Sequence, residues 1–372
     1  MSKIPHVLSL ALVYAIFCAS SISGQDESWQ LGPFVKQDAV NPIMGPLNYT
    51  TFFCPIRQEA VNWEKKDIFN PGAILKDGKV HILYRAEDDV GLYNGTSRIG
   101  LAISMDGVNF QRYPLPVFYP QNDSFAIHEW EGGCEDPRIV EFNSTYVMTY
   151  TGYDGDLARL MVATSTDLIT WTKHGSVFAE AEGGQFVEMW SKSGSIVTRV
   201  SEKGKQEAVR LNGVFWMYWG ETSIFAATSD DLVNWIPVTD PNGTENEFNL
   251  TAIFEPREGK FDSDIVEPGP PAILTERGIV FVYNSRNLDP LSGGDSNLPR
   301  GTYSAGQVLL NATNPIQVLS RLENYFFTPE KDYEVIGQVN NVVFLQGLVS
   351  FNGSWYLYYG TADSKIALAI IE

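Results

Sequence analysis

Hydrophobic and polar positions alternate along this chain with a period of two, in short runs rich in Val, Ile, Tyr and Trp that end at Asp-Gly, Asn-Gly and similar turns. Apolar residues at helical spacing are scarce. The pattern therefore predicts an all-β fold. A larger unit recurs within it, a strand, a turn and a second strand with an aromatic end, at 72–88, 137–154, 208–221, 271–287 and 343–363. Aligning the tyrosines near the end of the second strand picks out Tyr84, Tyr150, Tyr218, Tyr283 and Tyr359, separated by 66, 68, 65 and 76 residues. A second signature, Ser-x-Asp followed four residues on by Phe or Trp, recurs at Ser104, Ser165 and Ser229 and reads as the turn into an outer strand. Repeats of this size that cannot bury both faces alone must stack, which predicts a five-bladed β-propeller. A two-sheet sandwich would not repeat so regularly, and a solenoid of such large units would be unusual.

The first two dozen residues depart from that pattern. Lys3, an apolar run from Val7 to Ala19 and then small residues read as an export signal over 1–24, too short to span a bilayer. No later run is long enough to do so. Residues 25–67 are then an N-terminal extension packing on the propeller, and 68–372 the catalytic domain. Eight Asn-x-Ser/Thr sequons, at Asn48, Asn94, Asn122, Asn143, Asn242, Asn249, Asn311 and Asn352, fit a secreted, N-glycosylated protein. Cys54 and Cys134 would remain after cleavage, as a pair or as two buried thiols. A formal charge of −19 excludes a nucleic-acid partner, whose affinity would draw on Lys and Arg.

The candidate chemistry sits where the repeat requires only turn formers. Before the first strands stand Asn70, Glu135, Asp136, Arg138, Lys192 and Glu267; after the second strands stand Arg85, Asp88, Tyr153, Glu221, Arg286 and Asp363. In a propeller these positions converge at one rim. Carboxylates facing each other across a wet cleft are what glycosidic-bond cleavage needs, one protonated to assist the leaving oxygen and one ionised to activate water. Each residue also has a plainer reading. Asp136 before a proline serves equally as a turn residue, Glu267 as a solvated charge, and Arg138 as a partner for Glu135. His81 and His128 lack the spaced partners of a zinc site, and the chemistry requires no metal or organic cofactor.

Taken together, Asn70-Pro-Gly-Ala, Tyr84-Arg-Ala-Glu-Asp, Gly133-Cys-Glu-Asp-Pro-Arg, Lys192-Ser-Gly-Ser, Met217-Tyr-Trp-Gly-Glu, Glu267-Pro-Gly-Pro-Pro and Tyr358-Tyr-Gly-Thr-Ala-Asp resemble glycoside hydrolase family 130. The resemblance runs from about Ile68 to the C-terminus. It implies a five-bladed propeller acting on an oligosaccharide or glycan with β-mannosides, as a phosphorylase or an inverting hydrolase. It implies Asp136 as proton donor, Arg85 and Arg138 in the mannose subsite, and Glu221 or Glu267 as general base. Phosphorylases of the family tend to carry a His-Arg pair where this chain has Trp219-Gly220, followed by Glu221. That departure points to the β-1,2-mannosidase branch, while the retained Lys192 keeps a phosphate-using alternative open. A non-catalytic sugar-binding propeller is the reading from another class. Inversion predicts a donor-to-base separation of about 6.5–9.5 Å. The segments 121–132 and 287–300 are expected to shape the cleft.

Overall fold

The computed structural model describes residues 28–240 and 248–371. The expected export signal and the Asn242 sequon lie outside them. The described chain is all-β: twenty-six strands against two single-turn α-helices and two short 3-10 turns. The strands group into five antiparallel units, and each of the five aligned tyrosines lies fully buried on the second strand of its own unit. In the first unit Asp67–Lys76, Lys79–Glu87, Ser97–Ser104 and Phe110–Arg112 pair in order. The second repeats this with Gly133–Phe142, Thr145–Tyr153, Ala158–Ser165 and Thr172–Ser176. The third and fourth units are less regular. Ser195–Ile196, Val214–Trp219, Phe225–Ser229 and Ile236–Pro237 make the third. In the fourth, Gly278–Arg286 pairs with two short inner pieces, Ile265–Pro268 and Ile273–Thr275, then with Tyr303–Asn311, which pairs in turn with Asn314–Arg321. The fifth unit, Val343–Phe351, Ser354–Thr361 and Lys365–Ile370, takes its fourth strand from the N-terminal segment, where Val35 pairs with Ile370.

The Ser-x-Asp signature builds the turn from third to fourth strand in three units. Ser104 Oγ accepts from the N–H groups of Asp106 and Gly107, and Asp106 Oδ1 accepts from those of Val108 and Asn109. Ser165 with Asp167 and Ser229 with Asp231 repeat the same bonds. The short polar side chains satisfy backbone donors that the turn would otherwise leave bare.

Inner strands are interrupted at matching places. The pairing slips between Phe69 and Gly72, between Glu135 and Arg138, and between Leu345 and Gly347. Such bulges turn side chains out of the pleat and free carbonyls from the ladder. Backbone carbonyls near these interruptions are taken up by other units: Gln346 Nε2 donates to Asn70 O (2.7 Å) and Pro137 O (2.8 Å), and Arg138 Nε to Gly269 O (2.8 Å). Thr149 Oγ1 reaches Gly194 O, Ser195 Oγ reaches Pro270 O, and Asn284 exchanges two bonds with the Leu345 backbone. These bonds tie the second unit to the third, the third to the fourth, the fourth to the fifth and the fifth to the first, and cross from the fifth to the second and from the second to the fourth. Packing there is close enough to require glycine: a Cβ on Gly347 would stand 2.7 Å from Pro71 O, and one on Gly72 would run into Pro137 O.

Candidate active site

Antiparallel pairing brings the start of each first strand and the end of each second strand to the same end of the molecule, as the register of Phe69 with Arg85 and of Glu135 with Thr151 shows. At that end lies a cavity of about 110 Å3. All five units line it: Phe69, Asn70 and Arg85 from the first, Asp136 from the second, Lys192 and Glu221 from the third, Glu267 and Tyr303 from the fourth, and Val342, Phe344 and Asp363 from the fifth. Seven sequence-predicted residues thus meet in one place. Asn70 and Asp136 sit on the bulges with φ of 45° and 50°, and Asn70 Nδ2 donates to Asp136 Oδ1 (3.0 Å).

Arg85 organises one wall. Its guanidinium lies 2.8 Å from both Glu87 Oε1 and Glu135 Oε1, 3.3 Å from Asp136 Oδ1, and over the Phe69 ring. Burial raises Glu135 and Asp363 to about 7 against the pull of Arg85, so both hold protons near neutrality. Burial pushes Asp136 the same way, but Arg85, Lys192 and Arg138 outweigh it and hold that carboxyl below its usual range. The carboxyls around this one guanidinium therefore titrate as a group. Lys192 organises the opposite wall, 3.6 Å from Glu221 Oε1 and 3.8 Å from Glu267 Oε1. Glu267 is buried, which raises its pKa, and it accepts from Ser193 Oγ. Glu221 is more open, with its side chain 27% exposed.

Five predicted site residues stand elsewhere. Asp88 has no exposure; its carboxylate binds Arg98 (2.6 Å) and the N–H of Thr96, and so cannot reach a sugar. Arg138 is buried behind the cavity with its donors on the backbone carbonyls of Asp136, Pro268 and Gly269, and acts on the Asp136 carboxyl through its charge. Glu135 lies behind Arg85. Tyr153 donates to Gly155 O and packs near Tyr93. Arg286 pairs with Asp264 and donates to Tyr303 OH (3.3 Å), which holds Tyr303 rather than the cavity. None of the described residues of 121–132 or 287–300 lines this cavity. Phe69, Tyr303, Val342 and Phe344 were not anticipated. Only Phe69, beside the Asn70 motif, carried a positional signal.

A scaffold that gathers acids and bases from five units in one small cavity defines a class, an enzyme equipped for proton transfer on both sides of a bound group. Its kinship is equally definite. The model of glycoside hydrolase family 130, described as beta-1,4-mannooligosaccharide phosphorylase, matches residues 35–372, and the chain belongs to that family. It is 32% identical to the 1,2-beta-oligomannan phosphorylase of Thermoanaerobacter sp. (strain X514), over 83% of this chain and 91% of that one. It is 47% identical to a solved structure from Bacteroides thetaiotaomicron, covering 92% and 98% of the two chains, with TM-score 0.88. A further solved structure, 48% identical over 92% and 94% of the chains with TM-score 0.88, comes from work describing glycoside hydrolases of this family that target beta-1,2 mannosidic linkages in Candida mannan. The two cysteines among the described residues, Cys54 and Cys134, are free and buried.

Proposed function

We propose that the five units are the blades of a five-bladed β-propeller with the cavity on its axis, and that the chain hydrolyses β-mannosides by a single inverting displacement. Asp136 supplies the proton to the leaving oxygen, directly or through a mannose hydroxyl. Because Arg85, Lys192 and Arg138 hold Asp136 itself low, that proton comes to it from the carboxyls that retain theirs near neutrality, Glu135 and Asp363. Glu221, the more accessible glutamate, takes a proton from the attacking water on the opposite face. Asn70, Arg85 and Asp363 bind the sugar, and Lys192 holds Glu221 and Glu267 in place.

The observation that carries hydrolysis is the charge of the cavity wall. Four carboxyl groups line it against two cations, and both cations already face more than one acidic group. A phosphate dianion entering there meets repulsion that water does not. The likeness to the structure linked to beta-1,2 mannosidic hydrolases supports the same reading and a β-1,2 linkage. The second reading, phosphorolysis, is favoured by the curated relatives, whose names support it better than they support hydrolysis. Incubation with β-1,2-mannobiose with and without phosphate separates the two. Mannose released without phosphate is the expected product; mannose 1-phosphate formed only when phosphate is present overturns hydrolysis.

We propose further that the chain is exported through the 1–24 signal and N-glycosylated. Asn48, Asn94, Asn122, Asn143, Asn249 and Asn352 are exposed, which supports this. The test is a loss of mass on treatment of the native secreted protein with a peptide N-glycanase. No helix among the described residues is long and apolar enough to cross a membrane.

A further inference from the structure

Glu221 sits in a tight turn between Gly220 and Thr222, whose φ values are 128° and 71°. The turn is closed by the Ser223 N–H on Glu221 O (2.8 Å). Its two carboxylate oxygens have different neighbours. Oε1 faces Lys192 across 3.6 Å, within the cavity wall. Oε2 accepts a 2.8 Å hydrogen bond from Trp190 Nε1. Trp190 does not line the cavity and is not core: at 46% exposure it is the most exposed tryptophan among the described residues. A large ring left in water at one fixed place asks for a reason other than burial.

Its place is fixed by the next residue. Ser191 is buried, its N–H bonds to Ala158 O (3.0 Å), and its Oγ accepts from the Leu160 N–H (3.0 Å). Trp190 is therefore anchored to the second unit while its indole N–H reaches a carboxylate of the third. A base on a short turn needs such a tether. Lys192, at 3.6 Å and shared with Glu267, is a point charge that does not set the carboxylate plane. A hydrogen bond from a rigid ring does.

We propose that Trp190 is a positioning residue for the reaction. By occupying Oε2 it fixes the plane of the Glu221 carboxylate and leaves Oε1 to take the proton from the attacking water. The proton ends on Glu221, the water oxygen on the anomeric carbon, and the bond to the leaving oxygen breaks as that oxygen is protonated by Asp136. This rests on the reading of Glu221 as general base in β-mannoside hydrolysis, and it adds the device that aims it.

The test uses Trp190→Phe, which keeps a ring and loses the N–H, and Trp190→His, which restores a ring N–H. On β-1,2-mannobiose, W190F is expected to lower kcat about tenfold with KM within about twofold, the size of a lost bond to a charged group. The acidic limb of its kcat profile moves to higher pH, because the ionised base has lost a donor, and W190H recovers turnover above W190F. A readout independent of turnover is the Trp190 indole N–H resonance, assigned by its absence in W190F. It is expected to follow a protonation step in the wild type that Glu221→Gln abolishes. Unchanged kcat and pH profile in W190F, or an indole resonance indifferent to E221Q, overturns the proposal. A wild type inactive on β-mannosides with the indole coupling intact would instead overturn the function and leave the contact standing.

Discussion

Asp136, Glu221 and Asp363 meet different surroundings inside one cavity, and their expected responses to substitution differ accordingly. Asp136→Asn removes the only carboxyl that the Arg85 wall presents beside Asn70, and turnover should fall by about 10²–10⁴ while mannobiose binding, read by calorimetry, persists. Glu221→Gln should lose a comparable factor, and added azide should restore turnover with α-mannosyl azide as product. Rescue of Glu267→Gln instead would move the base to Glu267. For Asp363, burial raises the folded value to about 7 from an unfolded value near 4. The folded state then binds more protons than the unfolded one, so stability falls as pH rises through that window. Asp363→Asn removes the penalty. Its Tm should exceed the wild type's by a few degrees at pH 8 and match it near pH 4. Site residues were legible in the sequence wherever a charged group replaced a turn former inside a repeated motif. Asp88 and Arg138 satisfied that rule and still lie off the cavity. Spacing places a residue near the rim, but only the buried partners, Arg98 for one and three carbonyls for the other, decide which way its side chain goes.

The strands themselves carry a device that spacing did not reveal. The aligned tyrosines were visible as markers of the repeat, yet their hydroxyls end on buried acids that precede each unit: Tyr84 on Glu64, Tyr150 on Glu129, Tyr283 on Asp262 and Tyr359 on Glu334. Each acid also meets a base, Arg112, Lys173, Arg321 and Lys36 respectively. The third unit departs, with Tyr218 donating to Pro315 O instead. Each acid stands 20, 21, 21 or 25 residues before its tyrosine and each base lies on the fourth strand of the unit, so the device follows the repeat, but its members are too far apart in sequence to form a local motif. Because Glu129 has no exposure, Lys173→Met leaves a carboxylate buried without its cation and should cost about 3–5 kcal/mol in urea denaturation. Adding Glu129→Gln should recover most of that loss. An additive double mutant would show that the pair does not act as a unit.

Over the whole molecule, all-β character and fivefold repetition could be read from alternation and the tyrosine spacing, because every unit obeys the same burial rule. Joining the units could not. It depends on backbone carbonyls near the interruptions, captured by Gln346, Arg138, Ser195 and Asn284 across unit boundaries. The Gln346 carboxamide bridges the two bulges that present Asn70 and Asp136, so Gln346→Leu should disturb the catalytic wall without touching substrate. The expected result is a drop in kcat/KM of at least about tenfold, with a loss of stability on the order of 2 kcal/mol from two stranded acceptors.

The strand Val35–Lys36, held against Lys365–Ile370, has a consequence for how the chain is wired. The two extremities of the described sheet lie side by side, so the linear order of the units is a matter of genetic layout more than of architecture. A permuted gene that fuses residue 371 to residue 28 by a linker, and opens at the exposed Asp77–Gly78 hairpin, preserves every strand pairing in the described molecule; its product should assemble the same cavity.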